Sequence, residues 1–203
     1  AADDSPPSGE ITYAEGFTAT TIFDGSNNVA LTQLYFYNNA PISSINIAND
    51  TALTFLHLAY SYQLPTLIVN TNTALANLDC HANQLSSLNV SNNLLLANLN
   101  CSTNNLSTLD VSHNTILTYL DCSNNDITSL NISNSALSVI QCGNNNLISL
   151  NINGLPLTEL YCGNNPISSL NLSDKNLLTT LDCNNTAITS LDVTNNPALT
   201  LLA

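Results

Sequence analysis

Arginine is absent from this 203-residue chain, lysine occurs once, and charged side chains of both signs make up only 7% of it. An ordinary globular domain carries about 25%. With fourteen acidic residues the formal net charge is −13. Without clustered Lys and Arg to displace counterions, nucleic acid is excluded as a partner, and so is docking on an anionic membrane surface. Long apolar runs are missing as well. No window approaches the roughly 18 uninterrupted apolar residues of a membrane-crossing helix, so no membrane insertion is expected. Helix signals are lacking too, because Asn-Asn, Gly-Asn and Asn-Pro turns recur too closely to leave room for a helix. What is present instead is amide, hydroxyl and leucine: 35 Asn, 22 Ser and 22 Thr beside 35 Leu. An apolar content of 44% is too high for a disordered chain.

The leucines are periodic. Units open at Leu31, Leu53, Leu75, Leu96, Leu117, Leu137, Leu157, Leu178 and Leu199, at intervals of 20 to 22 residues. Self-similarity at this period predicts a solenoid, in which each unit buries its apolar face on its neighbours. The unit from Leu75 contains L-x-x-L-x-[C/V]-x-x-N twice, first through Leu78, Cys80 and Asn83, then through Leu85, Leu88, Val90 and Asn93. Alternation within each half has the period of a short strand with one buried face. The expected fold is therefore a β-rich leucine-rich-repeat solenoid with coils of about 21 residues, two short parallel sheets and little or no helix. One inward column should run Leu34, Leu56, Leu78, Leu99, Leu120, Ile140, Leu160, Leu181. A second should run Ile47, Val69, Val90, Val111, Ile132, Ile152, Leu172, Val193. Residues 31–203 form the solenoid, as eight coils and part of a ninth. Residues 1–30 are a leader with candidate capping or docking strands at Ile11–Tyr13 and Phe17–Phe23.

The motif L-x-x-L-x-C-x-x-N-x-L resembles the leucine-rich repeat signature, with Cys where that signature carries Leu. Residues 117–134, LTYLDCSNNDITSLNISN, are similar to the cysteine-ladder repeats of bacterial surface proteins, among them internalin-like adhesins and secreted leucine-rich proteins of the Bacteroidetes type. The resemblance covers residues 31–203 and implies extracellular binding or adhesion in general. Two features depart from it: Phe36 and Leu58 hold the Cys position in the first two units, and no internalin-type helical cap is visible.

Cys80, Cys101, Cys122, Cys142, Cys162 and Cys183 recur once per coil. Side chains stacked in parallel about 4.8 Å apart neither converge into a disulfide nor surround a metal. They are expected as free structural thiols, with no cofactor or metal. Asn83, Asn104, Asn125, Asn145 and Asn165 form a second ladder, whose amides should satisfy backbone groups at the bends. His57 and His81 fall at outward strand positions, and Asp79 should lie beside His57 one coil along. Such a pair can orient an imidazole for base catalysis. No nucleophile is specifically placed, however, and a surface pair without catalysis is the expectation.

Two outward strips remain. One is variable and rich in aromatics, which suits partner contact through Tyr35, Tyr37, Phe55, His57, Asp79, Tyr119 and Tyr161. The other repeats Ser-x-Asn-x-Ser and is read as repeat consensus. The chain lacks an initiator Met and an apolar signal segment, as expected of a mature secreted or surface protein whose signal has been removed. The last unit stops at Leu199, Leu201 and Leu202 with no polar cap, so head-to-tail packing of copies is expected, with Ile11, Tyr13, Phe17 and Phe23 on the other side of the joint. The sequence thus predicts a non-catalytic extracellular filament-forming protein, or alternatively an adhesin that binds a protein or glycan on its variable strip.

Overall fold

The computed structural model describes residues 10–13, 21–25, 30–36, 42–133 and 135–203, with only the backbone described for residues 10–13 and 21. Among these residues there is no helix. Fourteen short strands follow one another: β1 (Glu10–Tyr13), β2 (Thr21–Asp24), β3 (Gln33–Phe36), β4 (Ile42–Asn46), β5 (Phe55–His57), β6 (Asn77–Asp79) and β7 (Asn98–Asn100). The series continues with β8 (Thr108–Asp110), β9 (Tyr119–Asp121), β10 (Ser129–Asn131), β11 (Val139–Gln141), β12 (Glu159–Tyr161), β13 (Thr180–Asp182) and β14 (Leu201–Leu202).

Ten of these strands form one parallel sheet in the order β1-β3-β5-β6-β7-β9-β11-β12-β13-β14. Its register places Leu34, Leu56, Leu78, Leu99, Leu120, Ile140, Leu160 and Leu181 opposite one another, extended at the ends by Ile11 and Leu202. This is the first expected column, and from Leu34 to Leu181 every member is fully buried or nearly so. Phe36 and Leu58, which stand in for Cys in the first two coils, are buried as well. Each such side chain stabilises the fold by roughly 1.5–3 kcal/mol, but only when the adjoining coil covers it. Leu202 shows this dependence. It is in register with Leu181, no further coil covers it among the described residues, and it is 51% exposed.

The second column is buried from Ile47 to Leu172, with Val193 partly so. On that side, however, regular ladders among the described residues form only between β8 and β10 and between β2 and β4. The expected second sheet is thus two isolated pairs rather than a continuous partner to the long sheet. Variation in coil length is absorbed away from the long sheet, whose register runs unbroken through coils of 20 to 22 residues. At the N-terminal end, β1 pairs with β3 and β2 with β4, so residues 10–13 and 21–24 add a coil to the solenoid. Tyr37 and Phe17, both singled out from the sequence, lie outside the described residues.

Candidate binding face

The bends fix how the outward side chains are held. Asn104, Asn125, Asn145 and Asn165 are buried, and each reaches back to the coil before it. The Asn125 Nδ2 donates to Cys101 O, Cys122 O and Ser123 O, while its Oδ1 accepts from Leu106 N at 2.9 Å. A second column, Asn72, Asn93, Asn114 and Asn196, also donates through Nδ2 to the preceding coil on the other side, but its Oδ1 atoms have no partner among the described residues. Asn93, for example, donates to Val69 O and Asn72 O. The sequence displays this second column in the doubled motif, but its role emerges only from the bonds.

Between the Asn bends lies the cysteine ladder. All six thiols are free. Burial pushes Cys80, Cys101, Cys122 and Cys142 well above the ordinary thiol range and Cys162 up to about 12. Only Cys183 is half-buried. Protonated and enclosed, these sulfurs act as small apolar side chains rather than nucleophiles. Among the described residues no group of three or more His, Cys, Asp or Glu is placed to hold a metal ion.

On the outward face of the long sheet, Tyr35, Phe55, His57, Asp79, Tyr119 and Tyr161 are all partly exposed, each flanking a buried strand residue. Tyr35 stacks on Phe55, with ring centroids 4.7 Å apart, and His57 lies 6.4 Å beyond Tyr35. The expected His57–Asp79 pair is present, Nδ1 to Oδ2 at 3.1 Å. The same carboxylate also meets His81, Nδ1 to Oδ1 at 2.7 Å. Burial works to raise the Asp79 carboxyl, but the two histidine hydrogen bonds outweigh it and hold the group below the usual carboxylate range. An ionised carboxylate only accepts, so both imidazoles donate through Nδ1 and turn Nε2 away. Tyr119 and Tyr161 stand farther along. The Tyr119 hydroxyl accepts from Gln141 at 3.3 Å, and that of Tyr161 donates to Glu159 at 3.0 Å.

The sequence alone does not single out Tyr60 and Tyr62. They lie where the coil from Leu53 carries one extra residue, Leu58 to Leu64 replacing the Cys80-to-Leu85 spacing. Both have positive φ, 58° and 55°. At the equivalent bend the later coils place Ala82, Thr103 and then Asn124, Asn144, Asn164 and Asn185 in that conformation. Left-handed backbone costs roughly 1–2 kcal/mol at a residue with a Cβ and is uncommon for a bulky one. The ring of Tyr60 meets His81 edge-on at 4.3 Å and lies 5.9 Å from Tyr62. The signal for this feature was the 22-residue interval from Leu53, which reads as ordinary drift until the bend is seen.

The assembly residues separate. Leu201 and Leu202 are about half exposed on β14, Leu199 packs partly against the core, and Phe23 is buried with its ring edge on Phe36. Ile11 and Tyr13 lie on β1, at the opposite edge of the sheet from β14. No helix among the described residues is long and apolar enough to cross a membrane.

Several solved structures share this architecture. The functional domain of InlJ from Listeria monocytogenes, described as including a cysteine ladder, is 32% identical with a TM-score of 0.77 over 90% of this chain and 46% of that one. InlF, an internalin of the same organism, is 25% identical with a TM-score of 0.73 over 88% and 55%. A leucine-rich repeat protein of Leptospira interrogans shares the fold at 18% identity, with a TM-score of 0.65 over 86% and 54%. The chain thus spans about half the length of these three proteins. No protein-family model matches the sequence, and a search of curated proteins finds no match. Fold, coil length and ladder together make the chain an internalin-like leucine-rich-repeat solenoid with a cysteine ladder.

Proposed function

We propose that this solenoid is a non-catalytic interaction module of an exported or surface-held bacterial protein, and that a macromolecular partner binds the outward face of the long sheet. One observation carries the reading. Partly exposed aromatics recur across the face, from Tyr35 and Phe55 to Tyr119 and Tyr161, each braced by a buried neighbour. A rigid array of this kind needs little reordering to bind. The other strip is monotonous, and its polar side chains are turned to local bonds, such as Asp110 accepting from Ser112 N. The Nδ1 atoms of His57 and His81 are held by one carboxylate, and the nearest thiol, Cys80, is sealed inside, which favours recognition over acyl transfer. The test is binding to an immobilised panel of basic, acidic and neutral proteins and oligosaccharides. Tyr35→Ala, Tyr119→Ala and Tyr161→Ala should weaken whatever is held at least tenfold, and Asn89→Ala should not. Loss through Asn89 with the tyrosines indifferent would overturn the reading.

A second reading is self-association. Leu201 and Leu202 are half exposed on β14, whose far edge has no partner among the described residues. The same edge would accept the next coil of a longer chain. Its measure is particle mass as concentration rises.

A further inference from the structure

Among the described residues, the bend of the coil from Leu53 departs from the later ones. Its extra residue sets two tyrosines in left-handed backbone, with Tyr60 47% and Tyr62 52% exposed. It also breaks the Asn ladder. In later coils the Asn Oδ1 accepts from the leucine of the preceding coil, as Asn104 does from Leu85 N. Asn83 is buried, yet its Oδ1 has no hydrogen-bond partner among the described residues. Ser61, which stands where Asn is expected, makes only a long bond to Leu58 O. Unpartnered Oδ1 atoms also occur at Asn72, Asn93, Asn114 and Asn196 on the other side of the coil, but two left-handed tyrosines left about half exposed are not explained by packing. Strain of this kind concentrates at functional sites.

The two rings have a setting. Tyr60 meets His81, His81 and His57 both meet Asp79, and Tyr35 stacked on Phe55 continues the series. The two imidazoles that hold this ionised carboxylate are thus flanked by further aromatic rings, Tyr60 beside His81 and Tyr35 with Phe55 beside His57. Farther along the face, Asp121, Glu159 and Asp182 add negative charge. No cation balances them, since Arg is absent and the one lysine, Lys175, is buried and bonded to Asp174 at 2.6 Å. Ring faces beside a carboxylate recognise ammonium and guanidinium groups, and a uniformly negative surface steers a basic partner towards them. The strand N–H and C=O groups of the face are spent within the sheet, so recognition must pass through side chains.

Resting on the binding-face reading above, we propose that the corner around Asp79, Tyr60 and Tyr62 takes a Lys- or Arg-bearing segment of a protein partner. Fluorescence anisotropy with a labelled ten-residue peptide of alternating Gly and Arg tests it, with the citrulline peptide as its uncharged counterpart and chitohexaose as a neutral glycan. The Arg peptide should bind at least tenfold more tightly than the citrulline peptide, and less tightly as NaCl rises. Tyr60→Asn, Tyr62→Gly and Asp79→Asn should each weaken it severalfold or more. Asp192→Asn, the same charge change on the other side of the coil, should leave it within twofold. Tyr60→Asn restores the residue that four later coils use, and Tyr62→Gly relieves the positive φ, so both should fold at least as stably as the parent. Equal binding of both peptides, or equal loss from Asp192→Asn, would overturn the proposal. Chitohexaose binding lost through Tyr60→Asn, without Arg-peptide binding, would overturn it in favour of a glycan and leave the binding face standing. If no panel member is lost through any face variant, the face reading itself fails.

Discussion

Asparagine and aspartate differ by a donor, and one column of bends shows what that difference does. Asn72, Asn93, Asn114 and Asn196 give amide protons to the preceding coil. In the coil before Asn72 the equivalent residue is Asp50, fully buried, with neither carboxylate oxygen partnered among the described residues. Burial, with Asp24 nearby, pushes its carboxyl up to about 6. The folded chain then keeps a proton that the unfolded chain releases near 4. Between those values the native state binds more protons, so stability falls as pH rises, and above 6 the full loss persists. A shift of this size corresponds to roughly 2–3 kcal/mol. Asp50→Asn should therefore match the parent below pH 4 and exceed it by about that amount at pH 7–8 in urea unfolding. A difference that does not change with pH would show that Asp50 is not the titrating group.

At the scale of the element, the strand is nearly trivial and the bend is where the bonds are concentrated. Three residues such as Tyr119–Asp121 place one side chain inside and two outside, whereas Asn125 alone serves three carbonyls and one N–H. Asn125→Ala should cost about 2–4 kcal/mol, because buried backbone groups lose partners. Asn124→Ala beside it should cost no more than about 1 kcal/mol, since Ala82 already occupies the equivalent left-handed position. Denaturant titration of both variants is the check, and a similar small loss from each would contradict the bend-centred account. This division also explains what could be read from the sequence. Strand positions follow a period, so the register from Leu34 to Leu181, the cysteine ladder and the His57–Asp79 pair were all legible. Bends tolerate insertions, so Tyr60 and Tyr62 were hidden in a one-residue change of spacing. The contact of His81 with Asp79 joins the last residue of β6 to one two places on. His81 lies just beyond the strand rather than at the expected outward strand position, and the pairing falls within one coil rather than between neighbouring coils. Likewise the inward column on the other side was correct without implying a continuous sheet, because apolar burial does not by itself require a regular ladder.

The whole molecule is a stack of nearest-neighbour contacts, so its two faces across the stack differ from its sides. Leu202 continues the inward column of Leu181 and is half exposed because coverage there comes only from a further coil, whereas Leu201 continues the outward row of Thr180. If a second copy supplies that coverage, light scattering of this chain should show mass increasing with concentration, and Leu201→Asp with Leu202→Asp should hold it at the monomer mass. A constant monomer mass in the parent at high concentration would remove self-association from consideration. The negative charge belongs to this scale too. Acidic residues that look merely dispersed along the chain come to share one face as Asp79, Asp121, Glu159 and Asp182.

The Asn ladder also has a direction. Asn104, Asn125, Asn145 and Asn165 each close the bend of the coil before them, and the first three have their own closed by the coil after. For a chain released from its N-terminus onwards, each coil would be completed about 21 residues after it emerges. The unprotected length would stay at a single turn however many turns had already formed. A solenoid built this way can lengthen without increasing the amount of chain exposed at any moment during its folding.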